Sequence, residues 1–196
     1  MSILIMKHRL LLFLSMLFIT TYINAQNEIT GFLGIKFEDK PYVAIDKLKQ
    51  RYPNVEWKFP CIHLDNVTFI DTRFDNLTIT FKNEKLVEAI FTLSDFVSVA
   101  DNPFKDRATL LNEAKSKQNQ IANRFTQTFN SLGNAFCSKY GNPAVSSEGN
   151  AIWRDTNSNS ITLNVTLNNS QDELGVHFDG ILTVTYRTAT TNNDEF

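Results

Sequence analysis

Between residues 109 and 140 one set of apolar side chains recurs at helical spacing, and on both sides of it the period changes to two. The set is Leu111, Ala114, Ile121, Phe125, Phe129, Leu132, Phe136 and Tyr140. At about 100° per residue all of them fall in one narrow arc, so the segment predicts a long amphipathic helix, Thr109–Tyr140. Gly141 can close it with a left-handed cap, and Pro143 forbids continuation. Unbroken it would run about 48 Å, long for a domain of this size. The polar stretch Lys115–Gln120 therefore predicts a break near Ser116–Asn119.

The flanking segments read as strands. Leu77, Ile79 and Phe81 alternate with Thr78, Thr80 and Lys82, which gives a strand with one buried face. Lys82–Lys85 is a turn, and Leu86–Leu93 returns with Val87, Ala89, Phe91 and Leu93 on one face. Ile62–Ile70 and the short Val55–Lys58 precede them, with a tight turn at Asp71–Arg73. Residues 94–108 predict a crossing loop. After the long helix come Ala151–Arg154, then Ile161, Leu163, Val165 and Leu167 alternating with Thr162, Asn164, Thr166 and Asn168. In the last strand Val176, Phe178, Leu182, Val184 and Tyr186 share a face, and Gly180 predicts a bend or bulge. A shorter helix, Lys40–Tyr52, opens the series. Asp39 is its predicted cap, Pro41 sits in its first turn, Ile45, Leu48 and Tyr52 form its stripe, and Pro53 ends it.

The pattern predicts an α+β fold in which two helix-plus-antiparallel-meander repeats form one sheet with helices packed on one face. A single domain would span residues 26–188, with repeat one at about 31–100 and repeat two at about 105–188; residues 189–196 form a polar, flexible tail.

The first 25 residues have a different character. A leader with Lys7 and Arg9 but no acid is followed by the apolar run Leu10–Tyr22 and a small residue, Ala25. These are the parts of a secretory signal peptide, and the run is shorter than the roughly 20 residues of a comfortable span. Removal after Ala25 would leave about 170 residues, one ordinary domain, located in the periplasm or secreted. No later run is long enough to span a membrane. The net charge of −2 gives no footprint for nucleic acid or an anionic membrane. Both cysteines, Cys61 and Cys137, lie beyond the leader. An even count in an oxidising compartment favours a disulfide between them, with two buried free thiols as the alternative.

Helix, meander, helix, meander resembles the tandem α+β repeat of β-lactamase-inhibitor-like proteins, and more narrowly a group of uncharacterised small exported proteins of Gram-negative bacteria. The residues that carry the resemblance are Gly31–Ile35, Asp65–Phe81, Lys139–Pro143 and Trp153. They cover most of the mature chain, and all are turns, caps and core. Cys61 with Cys137 departs from the group. The resemblance implies a concave sheet able to bind a protein or peptide, and it carries over no catalytic residue.

Chemistry is sparse. His63-Leu-Asp65 and His177-Phe-Asp179 repeat one tripeptide pattern. On a strand, i and i+2 share a face, so two such pairs could together ligate a metal. The bland alternative is coincidence on a polar face. Cys61 and His63 form a weak thiol–imidazole candidate. Glu88, Glu113, Glu148, Asp155 and Glu173 are available as acids, with nothing selecting a pair. Nucleophile-elbow, zinc-protease and phosphate-loop motifs are missing, and no cofactor is predicted. What remains is the outward strand faces: Thr78, Thr80, Thr162, Asn164, Thr166, Thr183, Thr185 and Arg187. A lone soluble domain more usually shows Lys and Glu there. The sequence therefore predicts an exported, non-enzymatic binding module. It would present a Thr/Asn-rich sheet face to a protein or other macromolecule of the cell envelope, with inhibitor-like action one form of this. The rival is a small hydrolase or metal-dependent enzyme using the His-x-Asp strands.

Overall fold

The computed structural model describes residues 27–100, 104–172 and 175–189. The predicted leader, residues 1–25, and most of the predicted tail, 190–196, lie outside the described residues. In chain order the elements are β1 (Gly31–Phe32), β2 (Ile35–Lys36), α1 (Pro41–Lys49), β3 (Glu56–Lys58), β4 (Cys61–Phe69), β5 (Thr72–Lys82) and β6 (Lys85–Ala100). Then follow α2 (Arg107–Tyr140), β7 (Val145–Ser147), β8 (Asn150–Arg154), β9 (Ser160–Asp172) and β10 (Gly175–Arg187).

The fold is α+β. Eight strands form one antiparallel sheet in the order β3-β4-β5-β6-β10-β9-β8-β7. Strands β1 and β2 make a separate two-stranded sheet, so the single sheet predicted from sequence is incomplete. At Gly31 a Cβ would stand 1.9 Å from the Ile35 carbonyl oxygen, so only glycine fits this hairpin.

The helices cover one face of the large sheet. Ile62, Leu64, Leu77, Ile79, Ala89, Phe91, Leu163, Leu182 and Val184 point to it and are buried. Ala44, Ile45 and Leu48 of α1 and Ile121, Phe125, Leu132 and Phe136 of α2 join the same core cluster. Its centre is aromatic: Phe91 stacks on Phe69 at 4.6 Å and meets Phe74, Phe32 and Tyr186 at 5.4, 5.6 and 6.3 Å between ring centroids. Burial first, and then the Tyr140 beside it, push the Tyr186 hydroxyl well above its ordinary pKa.

Several expectations change. Helix α2 runs 34 residues without the break expected near Ser116–Asn119. The sheet supplies the reason, because β6 and β10 run 16 and 13 residues and give a helix of about 51 Å a surface of matching length. The polar stretch Lys115–Gln120 turns outward between buried Ala114 and Ile121. Asp106 caps α2, accepting from the Thr109 amide and hydroxyl, bonds that hold its carboxyl below the usual range. Phe129 is half-buried, and Leu111 is largely exposed.

Lys40, not Asp39, stands at the N-cap of helix α1, and no side chain caps it. Asp39 instead accepts from the Lys36 amide at 2.7 Å and from Lys47 at 2.5 Å. The predicted loop at 94–108 begins late, since β6 continues to Ala100 against β10. Gly180 makes no bulge, because β10 pairs without interruption on both sides. A Cβ there would lie 3.1 Å from Phe125 and 3.2 Å from Ile121 and Leu167, so the glycine admits the close approach of α2.

The predicted disulfide is absent, and both cysteines are free. Cys61 alternates with buried Ile62 and so points away from the helices, where its Sγ lies 3.7 Å from Thr80 Oγ1. Cys137 packs on the core from the helix side. The sheet stands between them, and no side-chain rotation brings two such atoms to bonding distance. Titration of unreduced, denatured protein should therefore count two thiols per chain. A count near zero would contradict this placement.

Candidate functional site

Alternation that buries one face of the large sheet exposes the other. The strand registers order its outward side chains into rows. One row runs His63, Thr78, Ile90, Thr185, Thr162 and Ile152 across β4, β5, β6, β10, β9 and β8. The next runs Asn76, Thr92, Thr183, Asn164 and Asn150. Below the first lie Cys61, Thr80, Glu88, Arg187 and Ser160; above the second lie Ser94, Ile181 and Thr166.

All eight residues singled out from sequence therefore lie together on this face. Thr78, Thr162 and Thr185 share the first row, Thr183 and Asn164 the second, and Thr166 the third. The sequence reading missed Asn76, Thr92 and Asn150, which complete the second row, and Ile90 and Ile152, which complete the first. Part of the signal was available: Ile90 and Thr92 alternate with Ala89, Phe91 and Leu93, which the sequence puts on one face, whereas Asn76 and Asn150 lie one residue outside the strands it predicts.

Most of these side chains are half-buried by their cross-strand neighbours. From Asn76 to Asn150 the second row spans four strand spacings, about 19 Å. Neither it nor the first row from Thr78 to Ile152 carries a formal charge. Charge stands at the rim. Arg187 is held by Glu88, its Nε at 3.1 Å and its Nη2 closer, so it is not an open anion site. Beyond β4, Lys58 bonds Glu56 and holds that carboxyl below its usual range. Within the field the contacts are local and neutral: Asn164 donates to Thr166 at 3.3 Å, and His63 Nδ1 lies 3.2 Å from Thr78 Oγ1.

Comparison with protein-family models, with curated proteins and with solved structures yields no match for this chain.

The other candidates do not assemble. His63 and Asp65 lie on β4, His177 and Asp179 on β10, with β5 and β6 between. That is three strand spacings, about 14 Å, and along the strands the register sets His177 about 27 Å from the level of His63 and Asp179 about 14 Å from the level of Asp65. Among the described residues no three potential ligands of His, Cys, Asp or Glu type stand together. His177 stacks on Phe96 at 6.0 Å, and Asp179 accepts from Asn168 at 2.9 Å. Cys61 and His63 each contact a threonine of β5 rather than one another. Of the acids, Glu88 pairs with Arg187 and Glu113 with Lys105 at 2.6 Å; Asp155 is buried, and Glu173 lies outside the described residues.

Proposed function

We propose that this chain is an exported, non-enzymatic binding module, acting in the periplasm or outside the cell, that presents its uncovered sheet face to a protein or other macromolecule of the cell envelope. The observation that carries the reading is the uncharged field of Thr and Asn rows crossing five strands. Neutral hydroxyls and amides exchange hydrogen bonds with a partner at a lower desolvation cost than charges do. The leader at the N-terminus supports export. The mirrored strand order, with the last strand of each meander meeting at β6–β10, supports a tandem repeat of the kind seen in β-lactamase-inhibitor-like proteins. Inhibitor-like occupation of a partner's surface is one form such binding takes.

The test sets charge in the field. Thr162→Lys and Thr166→Lys should each change stability by about 0.5 kcal/mol or less, as outward substitutions do. Both should abolish capture of the partner that the wild type retains from an envelope fraction. Capture that survives both substitutions moves the site off this face.

A further inference from the structure

Strand β9 outruns its neighbour. Strand β8 pairs with it only from Ser160 to Asn164, and among the described residues no strand lies against the edge from Val165 to Asp172. In an antiparallel ladder successive residues turn their N–H and C=O to opposite sides. Val165 turns to the β8 side, where its N–H meets the Gly149 carbonyl at 2.7 Å. Leu167 and Asn169, two and four residues further on, therefore offer N–H and C=O along that same edge with no strand to receive them.

A second observation coincides with this edge. Helix α2 passes beside it and encloses a groove of ≈ 420 Å³, lined by Leu111, Ala114, Lys115 and Gln118 of the helix and by Asn169 and Val176 of the sheet. Two large apolar side chains stand exposed along this side of the fold, Leu111 at 47% and Leu167 at 41%. An open strand edge beside a helix with apolar exposure is the geometry of strand addition, where backbone bonds give affinity and alternate side chains fill the groove.

We propose that the β9 edge and the N-terminal half of α2 take an extended peptide strand from a partner protein, at a site separate from the Thr/Asn face. The added strand pairs with Leu167 and Asn169. It seats an apolar side chain against Leu111 and Leu167 and an acidic one near Lys115, which is the charged member of the lining. A second copy of this chain fits less well: its own β9 edge, Thr166–Gln171, has one apolar side chain, Leu167, and no acidic one to meet Lys115.

The probe is an acetylated seven-residue peptide of alternating threonine and valine with a central leucine and one aspartate, titrated into the full chain while backbone amides are followed by NMR. Exchange at the Leu167 and Asn169 amides should slow by about tenfold or more on saturation. Asn169→Pro removes the outward N–H at an edge position that tolerates proline, and should weaken binding about tenfold. Thr162→Lys should not, which separates this groove from the sheet face. An N-methylated peptide that binds as well as the parent would overturn strand pairing in favour of a simple apolar pocket. Absence of protection at millimolar peptide would overturn the site. Protection of the same amides without peptide, rising with protein concentration alongside dimer in sedimentation, would reassign the edge to a second copy.

Discussion

Phe91→Ala is expected to lower the unfolding free energy by about 3–5 kcal/mol, the range for removing a fully buried phenyl ring. Phe91 has no exposed surface. It sits on β6, the last strand of the first meander, opposite Val184 of β10. Its ring touches the N-terminal hairpin through Phe32, the β4–β5 hairpin through Phe69 and Phe74, and the second meander through Tyr186. Truncation thus opens a cavity where three parts of the chain meet, and it also removes edge and stacking contacts of about 0.5–1.5 kcal/mol each. For a chain of this length each kcal/mol lowers Tm by about 2–4 °C, so a drop of about 6–20 °C should appear in calorimetry. Phe91→Leu, which keeps most of the volume, should lose less than half as much. A drop under about 3 °C for the alanine variant would mean that the halves are not joined through this cluster.

The alternation of Leu77–Lys82 and Ile161–Asn168 was enough to read the meanders, because a strand with one dry face must write its period into the sequence. The long helix was legible for the same reason. What failed was termination. Residues 94–100 carry Ser94, Asp95 and Ser98, and polarity there suggested a loop; yet Val97 and Val99 still alternate inward, and Asp95 is neutralised by Arg124 at 2.5 Å. A salt bridge from a helix 29 residues away leaves no local trace. The unbroken α2 was missed because helix length is limited by the surface beneath it, which the helix sequence does not contain. Gly180 was misread because glycine marks both bulges and close approaches, and only the position of Phe125 decides between them.

The outward face was legible as a list of residues but not as a site. Thr78, Thr162, Thr183 and Thr185 could each be assigned outward from their own strands. That they adjoin depends on β6 pairing with β10, a contact between strands nearly a hundred residues apart. Strand order also removed the metal hypothesis: the His-x-Asp pairs are alike in sequence but lie on strands the topology keeps apart. The β9 edge had no sequence signature, since an open edge is created by where the neighbouring strand stops.

Asp155→Ala should cost about 2–4 kcal/mol, an effect no sequence motif suggested, because this carboxylate organises backbone rather than chemistry. Asp155 is 8% exposed. One oxygen accepts from the amides of Asn157 and Asn159 at 2.9 and 2.8 Å, and so shapes the β8–β9 loop. The other accepts from the Ile29 amide at 2.9 Å and from the Asn159 side chain at 3.0 Å. Asn159 in turn donates to the Ile29 carbonyl and accepts from the Ala189 amide. One buried side chain thereby ties Ile29, the loop and, through Asn159, the segment just after the last strand. Alanine leaves three backbone donors without an acceptor, and bonds to a charged acceptor are the strong ones. Asparagine retains one oxygen but sets an NH2 against N–H groups, so Asp155→Asn should be nearly as destabilising. The distinguishing measurement is hydrogen exchange beside a urea midpoint. The Ile29 amide should lose protection before the β4–β6 core does, because the bracket holds the N-terminal segment locally. If the midpoint falls while Ile29 stays as protected as Phe91, Asp155 acts on the global fold and the bracket is not a separable unit.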